Sequence, residues 1–160
     1  MYITPRYYPH LGGVEYVVRN FAERLASRDN DVTVITGEPN TGKTVAEEIN
    51  KVEVIRIPTY APREAYHVPK DRQTISRVLK EHFDILHTHS IHAAISLLPL
   101  RINELTRPSW KVVMTMHFST PGYTFLRRLI WRLAWRRYVA GCLKCVDLID
   151  ATSPLEASII

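Results

Sequence analysis

Apolar residues recur along this chain with two alternating periods. Val14, Val17, Val18, Phe21, Ala22 and Leu25 fall at helical spacing, which predicts a helix over 14–25 lying on a core. The β-branched run Val32–Thr36, closed by Gly37, predicts a buried strand. Val52–Ile57 alternates in part and stops at Pro58, so it reads as a strand near a sheet edge, with a loop over 58–69. Ile75, Val78, Leu79 and Phe83 predict a helix over 71–83, and 84–89 is the next strand. Residues 91–105 are helical in pattern, with Pro99 expected to kink or restart the helix. Val112–Met116 reads as a strand, 124–144 as a helix and 146–151 as a strand. Met1–Thr4 supply a short first strand, and another helix begins at Pro154.

Strands that alternate with helices in this way predict an α/β fold, a three-layer Rossmann-like doubly wound parallel sheet. Ligands of such sheets bind beyond the carboxyl ends of the strands, so the residues just after each strand are the candidates.

Composition narrows the class. At 160 residues and 46% hydrophobic, the chain has length for one domain with a proper core and too little for two. Its 21 Lys+Arg against 16 Asp+Glu leave a net charge of +5, which suits phosphates, nucleic acid or an anionic membrane surface without choosing among them. Cys142 and Cys145 are the only cysteines, which excludes a disulfide framework and fits a reducing compartment. No apolar run of signal length follows Met1, and no stretch approaches the roughly 20 apolar residues of a spanning helix. The expectation is a cytoplasmic protein, soluble or peripheral at the inner membrane face.

The segment Tyr7-Tyr-Pro-His-Leu-Gly-Gly-Val-Glu15 lies between the first strand and the first helix. Two glycines there let backbone amides approach a ligand, and a helix N-terminus favours anions. The other reading is a tight strand-to-helix turn.

In this segment the chain resembles the N-terminal domain of family 4 glycosyltransferases of the GT-B fold. The resemblance continues in order through Asp31-Val-Thr-Val-Ile-Thr36, Phe83-Asp-Ile-Leu-His-Thr-His-Ser90, Val112-Val-Met-Thr-Met-His117 and Val146-Asp-Leu-Ile-Asp-Ala-Thr-Ser-Pro154. It implies one half of a two-domain hexosyltransferase, in which the first domain binds the acceptor and the second supplies most contacts to a nucleotide-sugar donor. By the same resemblance Gly12 and Gly13 would lie against the donor diphosphate and His117 by the transferred sugar, with Tyr8, His10, His89 and Ser90 lining the cleft. Transfer would retain configuration and require no metal or other cofactor. The donor-binding domain, absent here, would come in cis or trans, the 1–160 domain would be incomplete at its C-terminal end, and the isolated chain would be inactive.

Three other motifs compete. Gly37-Glu-Pro-Asn-Thr-Gly-Lys-Thr44 satisfies the P-loop pattern, but only residues 45–51 lie between it and the strand at 52, and Pro39 removes an amide from the loop. His87-Thr-His-Ser-Ile-His92 resembles the histidine run of zinc hydrolases, with Ile91 where that motif needs a carboxylate; the alternative for His87 is a hydrogen-bonded histidine inside the sheet. Cys142-Leu-Lys-Cys145 has no second pair to complete a zinc site and reads as packing.

Tyr123–Lys144 carries six basic residues and no acidic one. Arg128, Arg132 and Arg136 form an i, i+4 stripe, with Leu126, Leu129, Ile130, Leu133 and Ala134 opposite and Trp131 and Trp135 on one flank. Such a helix suits an anionic membrane surface near a lipid-linked or glycan acceptor, with both tryptophans at the headgroup level. Packing on the domain's own sheet is the rival, and nucleic acid is not the expected partner. A non-catalytic membrane- or partner-binding module is the other functional class this chain fits.

Overall fold

The computed structural model describes residues 1–106, 110–117 and 125–158. Strands β1 (Tyr2–Thr4), β2 (Thr33–Glu38), β3 (Val45–Ile49), β4 (Val52–Tyr60), β5 (Val68–Pro69), β6 (Ile85–His89), β7 (Lys111–Thr115) and β8 (Leu148–Asp150) form one sheet. Helices α1 (Gly13–Ala26), α2 (Arg72–Val78), α3 (Ala94–Thr106), α4 (Phe125–Ile130), α5 (Arg136–Leu143) and α6 (Pro154–Ala157) accompany it. The order is β3-β4-β2-β1-β6-β7-β8, with β5 beside the end of β4. β3 and β5 are antiparallel to β4 and every other pair is parallel.

Strand periodicity builds the three layers. Tyr2, Val34 and Val54 stand side by side across β1, β2 and β4, and so do Ile3, Ile35 and Ile55. The first row packs with Val18, Ala22 and Ala26 of α1. The second packs with Ile75 and Val78 of α2, Ile95, Leu97 and Leu100 of α3, and Val139 and Cys142 of α5. Each fully buried isoleucine contributes about 1.5–3 kcal/mol of transfer free energy, so two faces, each with its own core, hold the sheet between helices.

Several expectations are revised. Helix α1 forms, but its buried face is Val18, Ala22 and Ala26, while Phe21 and Leu25 are exposed; the small alanines let the helix lie close on the sheet. β4 lies near the edge as expected, one strand in beneath β3, but it runs through Pro58 to Tyr60 where a loop was expected. The sequence of β3 hides it: four of its five residues are exposed, so no core period marks it. α2 stops at Val78, short of Phe83. α3 passes Pro99 without restarting, held by the fully buried Ile95, Leu97 and Leu100 around it.

The long basic helix is interrupted by a π-helical turn at Trp131–Trp135 between α4 and α5. A wider turn shifts every later side chain around the axis, and the constant-pitch wheel fails. Trp131 packs against the core cluster, whereas Leu129 and Leu133 are exposed. The side chains of Leu126, Ala134 and Trp135 lie outside the described residues, as does position 124.

Candidate functional site

The chain steps outward from β1 through β2 and β4, then returns to β6 on the other side of β1. That reversal parts the loops after β1 and β6 and leaves a crevice at their carboxyl ends. A cavity of ≈ 360 Å³ opens there, lined by Pro5, Arg6, His10, Leu11, Val14 and Glu15 on one side, Glu64 and His67 on another, and Ser90 and His92 after β6.

Arg6, just past β1, organises one wall. Its Nε donates to Glu64 at 2.9 Å and its Nη1 to Glu38 at 3.1 Å, with Nη2 also on Glu64. His10 Nε2 lies 2.8 Å from Glu38 Oε2 and 2.9 Å from Arg6 Nη1. The guanidinium only donates, so the imidazole N–H goes to the carboxylate and the Arg6 approach is a contact. Burial opposes the charge on Glu38, but hydrogen bonds from His10 and the Asn40 amide, with Arg6 beside it, hold its carboxyl below the usual range.

The 3₁₀ turn Pro62–Glu64 and the loop behind it are clamped onto α3. The amides of Ala94 and Ile95 donate to the carbonyls of Tyr66 and His67 at 2.6 and 3.0 Å. His67 is 2% exposed, and burial, aided by Arg6, pushes it down to about 4. Gly37 makes this convergence fit: an added Cβ would stand 2.8 Å from the Pro5 carbonyl and 3.1 Å from His67 Nδ1.

Gly12 caps α1 in extended backbone, and neither it nor Gly13 has a left-handed φ. The turn therefore does not demand glycine on conformational grounds, and what the two glycines provide is room. Nothing stands within 4 Å of a Cβ added to Gly13, whereas one on Gly12 would meet the Glu15 carboxylate. That carboxylate lies at the helix end that attracts negative charge.

A chain of polar side chains runs beneath. His87 Nε2 donates to Thr115 Oγ1 at 2.8 Å, and that hydroxyl donates to Asp150 at 3.0 Å. His87 stacks on His89 at 4.2 Å, and His89 Nδ1 reaches His117 Nε2 at 3.0 Å. Burial pushes His87 to about 4 and His89 to about 2. It also lowers His117, against Glu156, Asp150 and Glu15, whose charges favour its protonation. Ser90 and His117 both have left-handed backbone, φ 75° and 45°, and such outliers cluster where function over-determines geometry.

Of the residues expected from sequence, His10 and Ser90 line the cavity and Gly12 and Gly13 lie exposed beside it. His89 is fully buried and touches His117, and neither of the two is among the lining residues. Tyr8 is half-buried under the Arg19 guanidinium, 4.1 Å away, and is not among the lining residues. Arg128, Arg132 and Arg136 are exposed on the distant helix. Arg6, Glu38, Glu64 and His67 were missed; Arg6 and the β2-terminal Glu38 stand where the rule of residues at strand ends would have found them.

The competing motifs take other forms. After Lys43-Thr44 the chain enters β3 rather than a helix, and the Thr44 hydroxyl is 2.5 Å from Asp71, the N-cap of α2. Among the described residues no three His, Cys, Asp or Glu side chains gather as a metal site. Cys142 is buried and Cys145 half-buried, without a disulfide. No described helix is long and apolar enough to cross a membrane.

The fold matches a solved structure described as "Trehalose-6-phosphate from E. coli bound with UDP-2-fluoro glucose", with TM-score 0.58 and 12% identity. The match covers 99% of this chain and 41% of that one, so the chain spans about two fifths of its neighbour's length and shares its fold. No curated protein sequence matches significantly. The profile of Glycosyltransferase Family 4 matches residues 11–160. That span takes in the glycine pair at the start of α1, both polar strand ends after β6 and β7, and β8, and the chain belongs to glycosyltransferase family 4 as an N-terminal, Rossmann-like domain.

Proposed function

We propose that this domain forms the acceptor-side wall of a cleft in which a sugar passes, with retention, from a nucleotide-sugar donor to a hydroxyl-bearing acceptor. The observation that carries the reading is the cavity at the β1/β6 reversal, with open space above Gly13 and with His10 and Ser90 in its lining. Backbone room at the start of α1 suits a diphosphate, whose charge the helix end favours. His117 then hydrogen-bonds the sugar as the bond from its anomeric carbon to phosphate breaks and the bond to the acceptor oxygen forms. The diphosphate leaves with the electron pair and its oxygen takes up the acceptor hydroxyl's proton, while a second domain supplies most of its counter-charge. No metal or other cofactor enters this scheme.

We also infer that the helix over 125–143 draws the protein to an anionic membrane, at the inner face of a cell, where a lipid-linked acceptor would lie. Phe125 is 77% exposed, Leu133 61% and Leu129 38%, and Arg128, Arg132 and Arg136 are exposed on the same helix. Exposed apolar side chains among cations favour an interface over bulk water.

The test is sugar transfer by the chain joined to a donor-binding domain. Replacing His117 by Ala should lower turnover roughly 10-fold to 1000-fold, the range for a positioned polar group at a reacting centre. The chain alone should give no product, having one wall of the cleft. Turnover indifferent to His117, or product from the chain alone, contradicts the reading.

A further inference from the structure

Two neutral imidazoles that share a hydrogen bond must divide its roles, one nitrogen carrying the proton and the other accepting it. His89 Nδ1 and His117 Nε2 are such a pair, 3.0 Å apart. His89 is fully buried, and its other nitrogen, Nε2, has no hydrogen-bond partner among the described residues. Were His117 the donor, His89 would carry its proton on that Nε2, leaving an orphaned N–H in the core. With His89 as the donor, Nε2 is a bare acceptor. Native interiors tolerate under-satisfied acceptors better than orphaned N–H groups.

We propose that His89 is a positioning residue that donates its Nδ1–H to His117 Nε2, holding His117 as the neutral Nδ1–H tautomer, a hydrogen-bond donor and not a base.

The surroundings keep His89 in place. Its ring is stacked on His87, itself fixed through Thr115 to Asp150, and it lies 6.0 Å from Tyr2. The left-handed turn at His117 sets that ring against His89, with centroids 5.3 Å apart. Taking up a proton at Nε2 would bring two N–H groups face to face at that separation, so the lone pair a base needs is already engaged. Resting on the reading that His117 meets the transferred sugar, the consequence is that it donates to a sugar oxygen and leaves the acceptor's proton to the departing diphosphate oxygen.

Long-range ¹⁵N–¹H correlation spectra of the histidine-labelled chain read each ring's tautomer without turnover, so failure of the transfer reading and failure of this one are told apart. Wild-type His117 should show a protonated Nδ1 and a bare Nε2 at neutral pH. His89→Asn, whose Nδ2 is as many bonds from the backbone as Nδ1, should preserve that state. His89→Phe keeps the ring and loses the donor, and should return His117 to the Nε2–H form that free imidazole side chains favour. A wild-type His117 protonated on Nε2, or a His89→Phe spectrum with the proton still on Nδ1, overturns the proposal. If the Phe variant does not fold, the wild-type spectrum still decides.

Discussion

The carboxylate of Glu15 lies over the bare Cα of Gly12, where a Cβ on that glycine would collide with it. It occupies the helix end that the proposed diphosphate needs, and two negative charges cannot share that place cheaply. Glu15→Gln should therefore tighten binding of the nucleotide-sugar donor about fivefold, from about 1 kcal/mol of repulsion between charges about 4 Å apart in a water-like medium. Calorimetric titration checks it. Weaker binding in the variant would make Glu15 a donor contact instead of a competitor.

Gly13 and Gly37 should separate function from folding. A Cβ on Gly13 meets nothing, so Gly13→Val should fold with little loss of stability yet weaken donor binding by closing the approach. A Cβ on Gly37 meets Pro5, Thr59 and His67 between 2.8 and 3.1 Å. Gly37→Ala should cost about 1–3 kcal/mol, the usual penalty of overpacking. Denaturant unfolding beside donor titration reads both, and equal donor affinity in Gly13→Val would leave that glycine without a binding role.

Acid should destabilise the domain before its carboxylates titrate. Burial holds His67 and His87 near 4 and His89 near 2, below the roughly 6.5 of an unfolded histidine. Between those values the unfolded chain binds protons that the folded one refuses, so stability is full above about pH 6.5 and falls toward about pH 4. Each such group contributes up to roughly 1.4 kcal/mol per pH unit in that window. Melting temperatures should be level above neutrality and drop steadily on acidification, and a flat profile down to about pH 4.5 would contradict the burial of these rings.

Vesicle binding should depend on the exposed stripe and not on Trp131. Each basic side chain near an anionic surface contributes about 1 kcal/mol, so reversing Arg128, Arg132 and Arg136 to Glu should weaken partitioning more than about 100-fold. Trp131→Ala should instead lower the melting temperature, because that ring packs on the core. Co-sedimentation with anionic and neutral vesicles checks both, and charge-independent binding would end the membrane reading.

Much of the fold was legible because its signals are local and repeated. Val18 and Ala22 fall within a helical stripe, and Leu86 and Val112 within apolar strand runs, whatever the partner. β3 was not legible, since Val45 and Ile49 bound a stretch of exposed residues whose order comes only from pairing with β4. On the basic helix the arginines face outward as the wheel has them, but the apolar residues do not follow it: Trp131 packs on the core while Leu129 and Leu133 are exposed, and the π-helical turn at Trp131–Trp135 adds a change of pitch that a wheel does not carry. The site was half legible: the glycine pair, His10 and Ser90 stand in recognisable motifs, but the meeting of Arg6 with Glu38 and Glu64 spans 32 and 58 positions of chain. Only the assembled sheet brings those charges together, and nothing periodic announces them.

A donor seated at the β1/β6 reversal must touch the start of α1 and the strand ends after β6 and β7. Titrating a panel of nucleotide sugars that differ in base and sugar into the isotopically labelled chain should, for at least one of them, move the backbone amides of Gly12, Gly13 and Val14 and the signals of Ser90 and His117, saturating weakly as one wall of a cleft would. Perturbations confined to Lys43 and Thr44, or none at any of these residues, would contradict the placement of the donor at the β1/β6 reversal.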